Sequence, residues 1–169
     1  MADNFDTFRG REGFPTDRPL DALTDDHNLI RQLFENYLET EQEEDERQDA
    51  GRDILLHLDR HMALEEGVFY PRVREVDAEL VDRCDAEHQQ AKELMEQIRG
   101  LEEGATKTRA FRKLYQAIMA HVETEEMRLF PRIAQSGLDL QDIGADMQAF
   151  ELSMIAAEAP AARRPEMRP

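Results

Sequence analysis

Two segments of the chain repeat one chemically capable pattern. His61-Met-Ala-Leu-Glu-Glu-Gly-Val-Phe-Tyr-Pro-Arg-Val73 returns sixty residues later as His121-Val-Glu-Thr-Glu-Glu-Met-Arg-Leu-Phe-Pro-Arg-Ile133. The shared form is H-x-x-x-E-E-x-x-x-[aromatic]-P-R-[VI]. On an α-helix a residue four positions on lies only about 40° around the axis, so His61 faces the same way as Glu65, and His121 the same way as Glu125. An imidazole and a carboxylate held together on one face form a two-donor claw for a cation.

A further histidine precedes each claw: His27 lies 34 residues before His61, and His88 lies 33 before His121. The repeating unit is therefore a helical hairpin, with a lone histidine on its first helix and the claw on its second. One histidine on an apolar stripe is usually an ordinary core residue, but an inward glutamate costs several kcal/mol to bury unless a cation pairs with it. Four imidazoles and two carboxylates suit divalent iron, manganese or zinc. They are too many for one tetrahedral zinc and too rich in nitrogen for calcium or magnesium. Two metal ions sharing two bridging carboxylates would use the whole set.

The elements that must position these residues are helices. The chain has 169 residues, 40% hydrophobic and 35% charged, and no strand-like alternation, which predicts an all-α single bundle. Apolar seams run through Leu23, His27, Ile30, Phe34 and Tyr37; through Ile54, Leu58, His61, Glu65, Val68 and Phe69; through Val81, Cys84, His88, Ala91, Met95 and Ile98; and through Phe111, Leu114, Ile118, His121, Glu125 and Leu129. These predict helices starting near Asp21, over about 48–70, 77–101 and 106–129, with Pro71 and Pro131 kinking or stopping the second and fourth. Short joints make neighbours antiparallel, giving an up-down-up-down four-helix bundle with all four histidines in one half. The expected organisation is an N-terminal arm over 1–19, pinned by Phe5, Phe8 and Phe14, the bundle over 20–135, and a weaker helix (about 139–157) and loose tail over 136–169.

Charge and cysteine content narrow the partners. A net charge of −17 speaks against nucleic acid and anionic membrane alike. No run approaches the roughly 18 apolar residues of a membrane span, the start lacks a signal-peptide pattern, and a single cysteine excludes a disulfide framework. Together these favour the cytoplasm.

The doubled motif resembles the hemerythrin-like, or HHE cation-binding, domain family. That family's pattern is matched at His27, at His61 with Glu65, at His88, and at His121 with Glu125, with an aromatic-Pro pair after each claw, over about residues 20–135. The resemblance implies two iron ions as an oxo- or hydroxo-bridged, non-haem di-iron centre, with Glu65 and Glu125 bridging. It further implies an open position for O2, nitric oxide or peroxide. Ferritin-like di-iron bundles would need Glu-x-x-His motifs, and this chain has none.

The chain also departs from the oxygen-carrying members, which place two histidines four apart on the third helix. Here Cys84 and Lys92 flank His88 at that spacing, which speaks against simple reversible O2 carriage. The fifth histidine is His57, one turn before His61; it is open to a role as extra ligand, hydrogen-bond partner or seam cap. Cys84 reads first as a small core residue and second as a thiolate ligand. Glu66 and Glu126 should lie about 140° from their histidines, missing the metal and facing a neighbouring helix or water, unless a local distortion exchanges Glu126 for Glu125. No catalytic residue is assigned. The leading expectation is a di-iron protein of oxygen or redox sensing or oxidative-stress response, with peroxide- or nitric-oxide-directed activity open. The alternative is an iron sensor or store without redox turnover.

Overall fold

In the computed structural model, which describes residues 13–39 and 43–158, the chain forms an all-helical bundle. Its elements are α1 (Pro19–Glu39), α2 (Glu44–Leu64), α3 (Tyr70–Val73), α4 (Ala78–Arg99), α5 (Ala105–Thr124), α6 (Phe130–Ala134) and α7 (Leu140–Glu158). Helix α2 starts at Glu44, earlier than its apolar seam, because Glu44, Asp45 and Glu46 fill a first turn whose free amides and dipole favour negative charge. Asp77 caps α4 by accepting the Leu80 amide at 3.0 Å.

Pro71 and Pro131 do not end their helices. A single π turn, Glu65–Phe69, joins α2 to α3, and another, Glu125–Leu129, joins α5 to α6. Each places its proline in the first turn of a new α-helical segment, where proline is tolerated. The aromatic residue before each proline donates its amide to the claw glutamate five residues back: Tyr70 to the Glu65 carbonyl, Phe130 to that of Glu125. The arginine after each proline ties the extension down. Arg72 pairs with Asp142 and Asp146 of α7, and Arg132 pairs with Asp77.

Two apolar clusters fill the bundle, one either side of the histidine level. The first gathers Leu23, Leu64, Phe69, Val81, Leu129 and Ile133 with Phe14 and, from α7, Ile143 and Met147. The second gathers Ile30, Phe34, Tyr37, Leu58, Met95, Ile98, Phe111 and Ile118. Tyr37 packs as the seam suggests, its ring 4.2 Å from that of Phe111. Phe5, Phe8 and the tail from 159 lie outside the described residues. No helix among the described residues is long and apolar enough to cross a membrane.

Helix α7 packs against α1, α2 and the first π turn. Gly67 of that turn lies against the ring of Phe150, and Gly144 lies on the Thr16 backbone, where a methyl group would overlap the Thr16 carbonyl. Gly144→Ala should therefore destabilise the protein by about 1–3 kcal/mol, because backbone cannot yield as a flexible side chain would. Gly100→Ala is the control, since its added carbon meets only the Gln97 carbonyl at 3.6 Å. Urea midpoints of the two variants check this; similar midpoints would show that the 14–16 segment gives way without cost.

Candidate metal centre

Six side chains meet between the two apolar clusters: His27 from α1, His61 from α2, Glu65 and Glu125 at the π turns, His88 from α4 and His121 from α5. His27, His88, Glu65 and Glu125 are fully buried, and His61 and His121 are 3% exposed. The Nε2 atoms point inward. Those of His61 and His88 lie 3.2 and 3.3 Å from Glu65 Oε2, and those of His27 and His121 lie 3.2 and 3.4 Å from Glu125 Oε2. His88 and His121 approach each other at 2.9 Å.

The Nδ1 atoms point outward, each to a carboxylate. His27 contacts Glu126 at 2.8 Å, His88 contacts Glu66 at 3.0 Å, His121 contacts Glu87 at 3.2 Å and His61 contacts Asp26 at 3.4 Å. The pattern follows the repeat: the acid before each lone histidine holds the claw histidine, and the acid after each claw glutamate holds a lone histidine of the other hairpin. Such contacts fix an imidazole's tautomer and orientation and raise its basicity as a ligand. Lys92 in turn bonds both oxygens of Glu66, at 2.7 and 2.6 Å.

This geometry fits a cation. Both carboxylate oxygens of Glu65, Oε2 of Glu125 and Nε2 of His27 are buried without a hydrogen-bond partner, although imidazole nitrogens stand 3.2–3.4 Å away. Donor atoms that converge without bonding one another are arranged for a third party. Among the described residues, His27, His61, Glu65 and Glu125 form one group of donor atoms within 4.8 Å of one another, and Glu65, His88 and His121 form a second. The two groups share Glu65.

Of the remaining candidates, Glu126 and Glu66 serve histidines from outside, as their angle predicts. Half-buried His57 belongs to neither group. Cys84 is buried and groups with Glu87 and His121 instead. Tyr70, Asp26 and Glu87 escape the sequence reading. Their signals were present: an acid precedes both lone histidines, and an aromatic precedes both prolines. Extrapolated along an α-helix, Tyr70 lies about 140° from Glu65. The wider π turn, at roughly 4.4 residues per turn, brings it to about 50°. Its hydroxyl donates to Glu125 Oε1 at 2.8 Å.

The Hemerythrin HHE cation binding domain profile matches residues 18–133. The chain belongs to this family. Among solved structures, the hemerythrin HHE cation binding domain-containing protein that is the Rv2633c homolog from Mycobacterium kansasii shares the fold, with a TM-score of 0.69 at 21% identity over 80% of this chain and 85% of that one. No curated protein matches the sequence. As a hemerythrin HHE domain the chain is a cation-binding helical bundle, and its buried histidine and glutamate groups are able to hold a metal.

With no cation bound, the same groups neutralise one another. Burial alone would lower the His27 pKa, but the close Glu125 carboxylate, the hydrogen bond to Glu126 and the charge of Glu65 raise it to about 9. His121 and His88 are raised too, against burial, chiefly by Glu125 and by Glu65 respectively. Burial would raise Glu125, yet His121 and His27 hold it well below the usual carboxylate range. The His88 hydrogen bond, helped by Lys92 against partial burial, draws Glu66 down to about 2.

Chelated protein should therefore be most stable between pH 4.5 and 6.5, the reference values of these groups. His27 binds its proton more tightly folded than unfolded. Its contribution, on the order of 3 kcal/mol, is complete below the unfolded pKa and is lost as pH rises through the folded one. Glu66 works in the opposite sense, contributing above pH 4.5 and losing that contribution as pH falls through about 2. Denaturant midpoints in EDTA at about pH 6 and about pH 9.5 test the upper edge. An unchanged midpoint at the higher pH would show that the imidazoles are not cationic partners of the glutamates.

Proposed function

We propose that the chain is a non-haem di-iron protein that binds or reacts with O2, nitric oxide or peroxide. The observation that carries this reading is the pair of overlapping donor groups, His27–His61–Glu65–Glu125 and Glu65–His88–His121, joined through a shared buried carboxylate. In this reading Glu65 and Glu125 would hold two cations together with His27 and His61 on one side and His88 and His121 on the other. Nitrogen and carboxylate donors in this ratio suit iron better than calcium or magnesium.

Glu65 and Glu125 with the outer carboxylates Asp26, Glu66, Glu87 and Glu126 supply negative charge that favours a pair of cations, offset in part by Lys92 at Glu66 and Arg83 at Glu87. Bound iron would supply an exchangeable coordination position and electrons. The chain supplies fixed imidazoles, negative charge and exclusion of bulk water. Donors exposed by 3% or less are out of reach of bulky substrates.

Metal analysis and near-ultraviolet spectra of protein purified in air test the reading. Two irons with ferric charge-transfer bands are expected; a colourless zinc protein would sink it, and iron that does not respond to oxidants would favour a store or sensor. His61→Ala and Glu65→Ala should lower iron content far more than His57→Ala, and Glu125→Ala more than Glu126→Ala. Iron should raise the melting temperature, because a ligand at a thousandfold excess over Kd stabilises the folded state by about 4 kcal/mol. The chelated protein should keep its helices, since both apolar clusters are complete without metal.

A further inference from the structure

The two hairpins supply equivalent imidazoles and carboxylates to the site, but the aromatic residue after each π turn differs in its chemistry. Tyr70 and Phe130 occupy the same position in the repeat, each immediately after its π turn. The Phe130 ring stacks parallel to His27 with centroids 5.9 Å apart, and the Tyr70 ring lies beside His88 at 5.4 Å. The Tyr70 hydroxyl, which Phe130 lacks, is 2.8 Å from Glu125 Oε1 and 3.3 Å from His88 Nε2.

Those spacings are the ones donors keep around a common ion. Neighbouring ligand atoms each about 2.1 Å from a first-row metal stand about 3 Å apart at right angles. Within the site, His88 Nε2 is 2.9 Å from His121 Nε2 and 3.3 Å from Glu65 Oε2. The Tyr70 oxygen stands from Glu125 Oε1 and His88 Nε2 at nearly the same spacings as His88 Nε2 keeps from His121 Nε2 and Glu65 Oε2. It is buried with them, and no repeat counterpart offers an oxygen on the other side.

Resting on the di-iron reading, we infer that Tyr70 is a fifth protein donor to the cation held by His88 and His121. The cation held by His27 and His61, walled by the Phe130 ring, then keeps the exchangeable position. The phenol gives up its proton on binding, as ligating acids do. A centre with two equivalent halves thus becomes one with a closed ion and an open ion.

Iron content, visible absorption and resonance Raman spectra of the full chain, loaded with ferric iron, test this. Wild type should hold two irons and show a phenolate-to-iron band with enhanced tyrosinate ring modes. Tyr70→Phe should keep both irons and lose band and modes, while Cys84→Ser keeps them, which separates phenolate from thiolate ligation. Azide, the probe of the open position, should add once per two irons and leave the tyrosinate modes in place. Two irons without tyrosinate modes overturn the assignment of Tyr70 and leave the di-iron reading standing; fewer than two irons overturn both. Loss of the tyrosinate modes on adding azide would put the exchangeable position on the Tyr70 side and overturn the assignment of the open ion. Because wild type alone can fail the test, the result does not depend on how well Tyr70→Phe folds.

Discussion

Everything in this bundle answers to the burial of Glu65 and Glu125. Two carboxylates with no solvent exposure, at the centre of a helical core, would each cost several kcal/mol without compensation. Four imidazoles surround them, and each imidazole is held from behind by another carboxylate. The charge is thereby passed outward to Glu66, Glu87 and Glu126, which keep 20–27% of their side-chain surface in water. A buried anion is tolerable here because it belongs to a network three of whose four far ends reach water, Asp26 behind His61 being the buried one.

The network needs helices that do not run straight. At the claw glutamates both second helices widen by one residue, and the extra residue solves two problems at once. It admits the proline that follows, and it rotates the next aromatic from a flank onto the face of the site. The apolar clusters on either side hold the helices in register, so the polar layer can be specialised without the fold depending on it. The apolar layers set the fold, and the polar layer adds chemistry and a charge-dependent share of the stability.

Much of this was legible in residue order. Seam spacing placed α1, α2, α4 and α5 and put His27, His61, Glu65, His88, His121 and Glu125 on inward faces, because a 3.6-residue period converts spacing directly into direction. Spacing failed where the period changed. Pro71 reads as a stop only if the helix before it is α, and Tyr70 reads as peripheral for the same reason. Asp26 and Glu87 were hidden differently: on a chain with 38 acidic residues, an acid beside a histidine is unremarkable until the neighbouring helix shows what it touches. Local periodicity reaches along one helix, whereas these contacts are made across two.

The covering of the two π turns also departs from two-fold repetition. Helix α7 braces the π turn that carries Tyr70: Phe150 covers Gly67, and Arg72 is tied to Asp142 and Asp146. The equivalent of Gly67 in the second hairpin is Met127, which is 72% exposed. Segments with fewer packed contacts open at lower free-energy cost. The π turn bearing Phe130 is thus the less covered wall of the site, and it faces the ion assigned the exchangeable position. The braced half holds the Tyr70 oxygen in place, and the less covered half carries the Phe130 ring against His27. Two hairpins built on one motif would in this way divide one centre into a part that is held and a part that can be reached.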